Sequence, residues 1–403
     1  MDKSTFFTGQ PIFTQLLKFI PRDKVQRLAG QYKTDRYYKR FKTYEHLVTM
    51  LYTCFHGCKS LREVTTGMQV CCSKLQHLSI RCVPRRSTLS DANKARNPDF
   101  FSYLYHHLYQ SYYGTSPDSR MKKSLDKRLF IIDSTTIKLF SEVMRGLGKK
   151  PVSGKQKGGA KAHILLKADE DVPRFVCLTN ATANDTILLP KINLEPGSVI
   201  VFDRGYNNYY QMDQWTKQHI TWVSRILPEA SYQILQNCEI SHYAAAKGIL
   251  ADQQILMGRP SNKQTTKLLA RKITFLDPLT QREFEFITNN TQLSPLTIAD
   301  LYKKRWQIEL LFKRLKQNYP LRYFLGDNEN AIRIQIWCAL ITDLLVKIVK
   351  DRIKRKWSYA NIASMIRLHL MSYVNLFKFL NNPEKVIQLS YPLPNPGQLA
   401  FQT

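Results

Sequence analysis

The sequence is short of acidic residues. Its 403 residues include 31 Asp and Glu against 60 Lys and Arg, which gives a formal net charge of +29. This excess is far larger than solubility requires. Nucleic acid is the expected partner of such a positive field, with an anionic membrane surface as the second possibility.

Long apolar runs are also missing. The most apolar stretch, residues 332–349, is interrupted by Arg333, Gln335, Asp343 and Lys347, so it predicts a buried helix and not a membrane span. The first 24 residues lack the apolar segment of a signal peptide. We therefore expect a cytoplasmic protein that makes no membrane contact. Its eight cysteines should then be reduced.

The cysteines lack the spacing of a standard zinc site, which uses two C-x2-C pairs. Several nevertheless crowd into one region together with two histidines: Cys54, Cys58, Cys71, Cys72, Cys82, His56 and His77. Zinc binding there stays open, and ordinary buried cysteines are the favoured interpretation.

Residues 1–126 show a helical, basic pattern that we interpret as a DNA-binding domain. Thr43 to Phe55 is predicted to be a helix that ends at Gly57. Ser60 and Glu63 form a capping box, so a second helix should start there, and a helix-turn-helix arrangement is plausible.

A further helix, capped by Ser87, offers candidate DNA contacts. The cations Arg85, Arg86 and Lys94 suit phosphates or guanine edges, and Asn93 suits adenine. The alternative is a solvated cationic helix within a bundle, and the sequence leaves both open.

Residues 127–227 change to a strand pattern in which strands are followed by carboxylates. The apolar run 129–132 delivers Asp133 at or near its end, and the run 198–202 ends in Asp203, Arg204 and Gly205, where Gly205 is expected to allow a tight turn. Ligands collect at the carboxyl ends of strands in α/β sheets. Both aspartates are therefore candidate site residues, with a turn or cap role as the alternative.

Residues 228–295 are predicted to be a β-rich insertion, and residues 296–330 carry a helix that we expect to run unbroken from 302 to 316. Its apolar sector predicts contact with a core, and Tyr302, Arg305, Glu309 and Lys316 fall on one adjacent stripe. Alone, such a Glu among cations is usually a surface ion pair. With Asp133 and Asp203, however, it completes three carboxylates that can hold two divalent metals. Residues 331–403 are predicted to be helical.

Four sequence pieces carry a resemblance to a known family. They are Asp133-Ser134-Thr135-Thr136, Asp203-Arg204-Gly205-Tyr206, Tyr302-x2-Arg305-x3-Glu309-x6-Lys316, and Phe324-Leu325-Gly326 with Gln335-Ile336-Trp337. Together they resemble the bacterial insertion-sequence transposases of the DDE class, in the insertion-sequence-four family named the YREK subgroup for its signature. The front end resembles the helical N-terminal domain attached to many of them.

The resemblance implies an α/β fold with an RNase H-like catalytic core, a β-rich insertion, an all-helical N-terminal domain and a helical C-terminal region. Asp133, Asp203 and Glu309 would be the catalytic triad that holds two Mg²⁺ ions per site, for which Mn²⁺ can substitute. DNA contacts would come from a wider set: Tyr302, Arg305, Lys316, Arg204, Arg85, Arg86 and Lys94.

The implied reaction is hydrolysis at the ends of an insertion sequence, followed by attack of the released 3′ hydroxyl on the opposite strand, through a hairpin, or on target DNA. The partners would be double-stranded DNA, both terminal inverted repeats and target, and a second copy of the chain in the synaptic complex. The resemblance also implies a bacterial cytoplasmic location, with association to the nucleoid through DNA. Two alternatives stay open: a Mg²⁺-dependent endonuclease of the same core that never joins ends, and a catalytically silent DNA-binding regulator.

Overall fold

The structure is a computed structural model that describes residues 9–114, 125–138, 148–149, 157–258 and 267–385. Within these ranges the chain divides into two compact units. The residues up to 115, together with those from Arg314 onward, form the first unit, and the residues from 116 to Lys313 form the second. Residues 115–124, which precede the domain limit expected at 126, and the residues beyond 385 lie outside the described residues.

The helices are α1 Ile12–Leu17, α2 Arg22–Gln31, α3 Thr43–His56, α4 Leu61–Val70, α5 Arg86–Ala95, α6 Asp99–Tyr113, α7 Tyr209–Lys217, α8 His242–Ala246, α9 Pro295–Lys303, α10 Trp306–Asn318, α11 Glu329–Arg352, α12 Tyr359–Leu368 and α13 Leu376–Asn381. The strands are β1 Leu129–Lys138, β2 Gly148–Lys149, β3 Lys157–Lys167, β4 Val172–Asn180, β5 Val199–Phe202, β6 Thr221–Arg225, β7 Tyr232–Asn237, β8 Ile249–Met257, β9 Leu268–Leu276 and β10 Glu283–Thr288. Within the described ranges, none of the helices has the length and apolar content that a membrane span requires.

The first unit is helical and is built around α11, which is buried along nearly its whole length. It packs against α3, α5, α6 and α12, and the buried helix predicted over 332–349 is confirmed. Gln335, at 1% exposure, links the two halves of the fourth motif piece, residues 324–326 and 335–337. Its side-chain amide donates to the carbonyl oxygens of Pro320 and Tyr323 and accepts from the Leu325 N–H, so it closes the turn that precedes α11.

The local signals of the front end are also confirmed. α3 ends at Gly57, whose φ of 71° is the left-handed value that favours glycine. The Ser60 hydroxyl accepts from the Glu63 N–H at 3.1 Å, as the capping box predicts. The cap expected at Ser87 is wrong, because α5 begins at Arg86 and Arg85 takes the cap position.

The second unit contains one mixed sheet whose strands follow the order β2-β3-β1-β5-β6-β10-β9-β8-β7, with β4 paired to β3. β1, β5 and β6 are parallel neighbours, whereas β3 lies antiparallel to β1. β10 pairs with β6, so the strands predicted as an insertion continue the same sheet. The described chain is therefore a mixed α/β fold with a helical N-terminal region.

The two faces of the sheet are covered by different elements, and this places the site. On one face, α9 packs through Ile298, Leu301 and Tyr302 against the valines of β5 and β6. On the other face, α7 contributes Met212 and Trp215, and a 3₁₀ helix over Asp185–Lys191 covers the strands nearby.

Candidate active site

Two aspartates lie side by side at one edge of the parallel strands. The last residues of β1 and β5 that pair are Ile132 and Phe202, and Asp133 and Asp203 follow them directly. Asp203 comes after its strand, as expected. Asp133 does not: it lies in the middle of β1, which continues to Lys138 because β3 goes on pairing with it. The parallel pairing with β5 ends just before Asp133, and its side chain is 19% exposed.

The third acid arrives on a helix that is not the one predicted. The unbroken helix expected from 302 to 316 is wrong, because α9 ends at Lys303 and α10 begins at Trp306. Between them the backbone tightens to bonds three residues apart: Arg305 N–H to Tyr302 O at 3.0 Å and Gln307 N–H to Lys304 O at 3.0 Å. Arg305 sits in this break.

Arg305 joins two of the acids. Its Nη1 lies 3.2 Å from Oδ2 of Asp133, and its Nη2 lies 2.8 Å from Oε1 of Glu309. The Arg305 side chain is only 16% exposed, and its Nε has no hydrogen-bond partner within the described chain. The Arg305 guanidinium therefore contacts two carboxylates, one on β1 and one on α10.

Asp203 has its own partners. The Tyr302 hydroxyl donates to its Oδ1 at 3.2 Å, and Arg225 Nη2 lies 3.7 Å from the same oxygen. The Tyr302 ring is 8% exposed and packs against Phe286, with 4.9 Å between centroids. Tyr302 thus orients Asp203 from within the core.

Sequence reasoning missed Arg225. It is the last residue of β6, and the pairing of Val201 with Val223 sets it beside Asp203. A signal was present, since Arg225 lies near the end of a strand pattern over residues 220–226. Three neighbouring parallel strands therefore deliver Asp133, Asp203 and Arg225 to one edge.

The surroundings of Asp133 make its ionisation costly. Burial raises the pKa of Asp133 to about 6, while the Ser134 N–H and the Arg305 guanidinium oppose the rise and Asp203 and Glu309 add to it. The Ser134 N–H donates to Asp133 Oδ1 at 2.8 Å. A buried carboxylate beside two others is a typical functional arrangement.

A second polar cluster, which sequence reasoning also missed, contacts β1 at Ser134, the residue after Asp133. The Ser134 hydroxyl donates to Asp185 Oδ1 at 2.7 Å, and Lys161 Nζ donates to the same oxygen at 3.2 Å. His163 pairs with Ser134 across the strands and is fully buried, and this burial lowers its pKa to about 4. The imidazole is therefore neutral at physiological pH.

The donor types suit a hard divalent cation, because carboxylate oxygens are its preferred ligands. Within the described ranges, no three acidic, histidine or cysteine side chains form a group placed to hold a metal ion. The cation that Asp133 and Glu309 share in this structure is Arg305.

The remaining predicted DNA contacts are all cations. Arg204 is exposed in the short 3₁₀ helix after Asp203, and Lys316 is half-buried on α10, seven residues after Glu309. Three further cations are exposed at α5: Arg85, Arg86 and Lys94. Asn93 as a reader of adenine is wrong, because it is 1% exposed and its Oδ1 lies 2.7 Å from His46 Nε2.

Comparison with known proteins identifies the family of the chain. The family described as Transposase DDE domain matches residues 124–343, and a domain of unknown function (DUF4372) matches residues 8–81. A putative transposase, y4zB of Sinorhizobium fredii, is 28% identical over 272 residues, covering 66% of this chain and 71% of the relative. A putative transposase for insertion sequence element IS4SA of Synechocystis is 27% identical over 286 residues, covering 65% and 71%.

A probable transposase for insertion sequence element IS5377 of Geobacillus stearothermophilus is 24% identical over 260 residues, which are 64% of this chain and 64% of that relative. The aligned parts of these relatives thus span about two thirds of each chain. The matched family spans the three acids, Arg305 and Arg225, whereas DUF4372 lies wholly before them.

Proposed function

Because the chain belongs to the family of the Transposase DDE domain, we propose that it is a transposase that cleaves the ends of an insertion sequence and joins their 3′ hydroxyl groups to target DNA. The observation that carries the proposal is the approach of Asp133 and Glu309 to one guanidinium, with Asp203 on the next parallel strand. Three separated stretches of sequence thereby supply acids to one place.

The strand order supports an RNase H-like core. Without the two-residue β2, this side of the sheet has the strand order β4-β3-β1-β5-β6. β3 is antiparallel to both β4 and β1, whereas β1, β5 and β6 are parallel to one another. We assign the three acids to the catalytic triad of that core and place the chain in the YREK subgroup on its Tyr302, Arg305, Glu309 and Lys316 signature.

Asp133, Asp203 and Glu309 would hold two divalent ions, for which Mg²⁺ suits the oxygen ligands best and Mn²⁺ is a substitute. Such a pair of ions activates a nucleophile and neutralises the charge that develops on the phosphate. The Ser134 N–H and the Tyr302 hydroxyl fix two of the carboxylates through hydrogen bonds at 2.8 and 3.2 Å, so both acids are oriented before DNA arrives.

The cations of the site would bind the DNA backbone. Arg204 is exposed directly after Asp203, and Lys316 follows Glu309 on α10, so both suit phosphates beside the cut. Arg305 would exchange its carboxylate partners for a phosphate. The hairpin route and Tyr302 as a contact to phosphate or a flipped base remain part of this proposal.

The first unit would bind the terminal inverted repeats, with Arg85, Arg86 and Lys94 as contacts on α5, and act on DNA in the bacterial cytoplasm. Pairing of two ends requires two active sites, so we propose a homodimer in the complex with DNA. The domain limits expected from the sequence at residues 126, 227, 295 and 330 stay a prediction.

The test is cleavage of a supercoiled plasmid that carries both ends of the element, with Mg²⁺ present. Glu309→Gln should abolish nicking and leave DNA binding intact, whereas Glu239→Gln, an exposed acid of the same unit, should cut normally. Nicking by Glu309→Gln at the wild-type rate would overturn the triad.

The same assay separates the alternatives. Cleavage without joining of the 3′ ends to a target plasmid would favour the endonuclease. Binding without any metal-dependent nicking by the wild-type chain would favour the silent regulator.

A further inference from the structure

The connection between α2 and α3 is an unusually basic and aromatic surface loop. We call residues 33–42 the tyrosine loop. Its exposed cations are Lys33, Arg36, Lys39, Arg40 and Lys42. Tyr37 stands among them at 87% exposure, the most exposed aromatic side chain in the described part of the chain. The loop lies within the matched domain of unknown function.

The tyrosine loop is held rigidly from one side by Asp35. Its carboxylate oxygen Oδ1 accepts from the Thr43 N–H and from the Thr43 hydroxyl, both at 2.6 Å. The hydroxyls of Thr43 and Thr34 are 2.8 Å apart, and both threonines are buried. The loop is therefore fastened to the start of α3.

Arg96 holds the loop from below. It follows α5 directly, is 1% exposed, and donates to the carbonyl oxygens of Thr34 and Phe41. Its guanidinium lies 4.4 Å from the Tyr38 ring centroid and 5.3 Å from that of Phe41. The hydrogen bonds and ring contacts of this buried arginine fix the path of the loop. They also connect the loop to α5, the helix at which Arg85, Arg86 and Lys94 lie.

Tyr37 is the residue that this scaffold presents. Its φ is 71°, a left-handed conformation that costs free energy for any residue with a Cβ. Its ring is approached by the Arg36 guanidinium at 4.9 Å, and nearly all of its surface faces solvent. An exposed ring on a strained backbone contributes little to the stability of the fold, so we expect the ring to contact a binding partner.

We propose that the tyrosine loop is a DNA-binding site in which the exposed cations hold backbone phosphates and the Tyr37 ring packs against a sugar or base in the groove. The inference rests on the proposed function in taking DNA as the partner. Phosphate contacts position a protein on a duplex, and inserted or stacked side chains add affinity. An anionic membrane is disfavoured because a single exposed ring offers little apolar surface for insertion.

The test measures fluorescence anisotropy of the full chain in Ca²⁺ with a 40-base-pair duplex taken from DNA that flanks the coding region, and with a scrambled duplex. Tyr37→Ala and Tyr37→Gly should each weaken binding about ten-fold. The triple variant R36Q/K39Q/R40Q should reduce the slope of log affinity against log salt by about two to three.

Matched controls remove the same groups elsewhere. Tyr243→Ala deletes a ring that is 68% exposed in the other unit, and K18Q/R27Q/K385Q removes three exposed cations of the first unit outside the loop. Both should bind DNA within two-fold of wild type. Tyr37→Gly should also keep or raise the thermal midpoint, because glycine relieves the left-handed strain, whereas a structural role for the ring would lower it.

Three other outcomes would overturn the inference or the proposed function. Unchanged affinity of the Tyr37 variants and an unchanged salt slope of the triple variant overturn the loop as a DNA site while the proposed function stands. A wild-type chain that binds neither duplex at low salt overturns both. Loss of binding to phosphatidylglycerol vesicles, with DNA binding unchanged, assigns the loop to membranes and overturns the inference.

Discussion

The guanidinium of Arg305 lies 3.2 Å from the carboxylate of Asp133, although 172 residues separate the two along the chain. The same group lies 2.8 Å from Glu309. In this structure Arg305 therefore forms ion pairs with two acids of the proposed triad. It occupies this position because the chain breaks between α9 and α10 and turns its side chain toward β1.

Removal of this internal cation should strengthen metal binding by the DNA-free protein. We expect Arg305→Gln to bind Mn²⁺ about ten-fold more tightly than wild type, or about 1.4 kcal/mol, because the ion no longer competes with the guanidinium. The free Mn²⁺ signal in electron paramagnetic resonance measures this affinity. Arg204→Gln removes a nearby exposed cation and should change it far less. Weaker binding by Arg305→Gln would mean that Arg305 instead gathers the acids.

Asp133→Asn should stabilise the metal-free protein near neutral pH. Burial raises the folded-state pKa to about 6, above its ordinary value, so the folded chain holds this proton more tightly than the unfolded chain. That contribution is fully present below about pH 4 and is lost as pH rises through about 6. At pH 7.5 in chelator we expect a gain on the order of 2 kcal/mol, and at pH 4 almost none.

Urea unfolding at the two pH values measures the difference. Asp91→Asn, at an exposed position of α5, is the control and should behave alike at both. A loss of stability in Asp133→Asn at pH 7.5 would contradict the assigned cost of burial.

A single substitution that breaks the buried ion pair between Arg314 and Asp343 should strongly destabilise the fold. Its two hydrogen bonds are 3.0 and 2.9 Å long, and the Asp343 side chain is 2% exposed. Asp343→Ala leaves a buried guanidinium without its carboxylate, so we expect a loss of about 3–5 kcal/mol in urea unfolding.

The double variant Arg314→Met/Asp343→Leu should recover most of that loss, because both charges are then gone. At the exposed pair of Arg355 and Glu384, Glu384→Ala should have a far smaller effect. A double variant as unstable as the single one would argue that packing around the pair matters more than its charges.

Gly248→Ala should disrupt the sheet where β8 begins beside the end of β9. Gly248 has a φ of 100°, and an added Cβ would lie 2.2 Å from the Leu276 carbonyl oxygen. We expect a loss of roughly 2–4 kcal/mol, visible as a lower thermal midpoint. Gly205→Ala meets no atom within 4 Å and should be neutral or slightly stabilising. Equal effects of the two would contradict this assignment.

The sequence predicted those features that depend on local pattern. Compact apolar runs located β1 and β5 together with their aspartates, and the apolar sector of α10 is buried as expected at Ile308, Leu311, Phe312 and Leu315. These signals are reliable because burial of one face needs only the period of the element itself.

Features that depend on distant partners could not be read in this way. No glycine or proline marks the break at Lys304 and Arg305, which arises where three-residue hydrogen bonds replace the helical ones. Arg225 becomes a site residue only through the register of β6 beside β5. Gly205 looked like the turn that needs glycine, yet the described glycines with positive φ are others: Gly57, Gly197, Gly248 and Gly258.

The construction of the first unit also sets an order of events during synthesis. α3, α5 and α6 pack against α11, which begins only at Glu329. These helices leave the ribosome well before the segment that buries their apolar sides, so the tyrosine loop is mounted on a complete scaffold only late in translation. A product that stops short of Glu329 would expose those sides and be a substrate for chaperones and proteases.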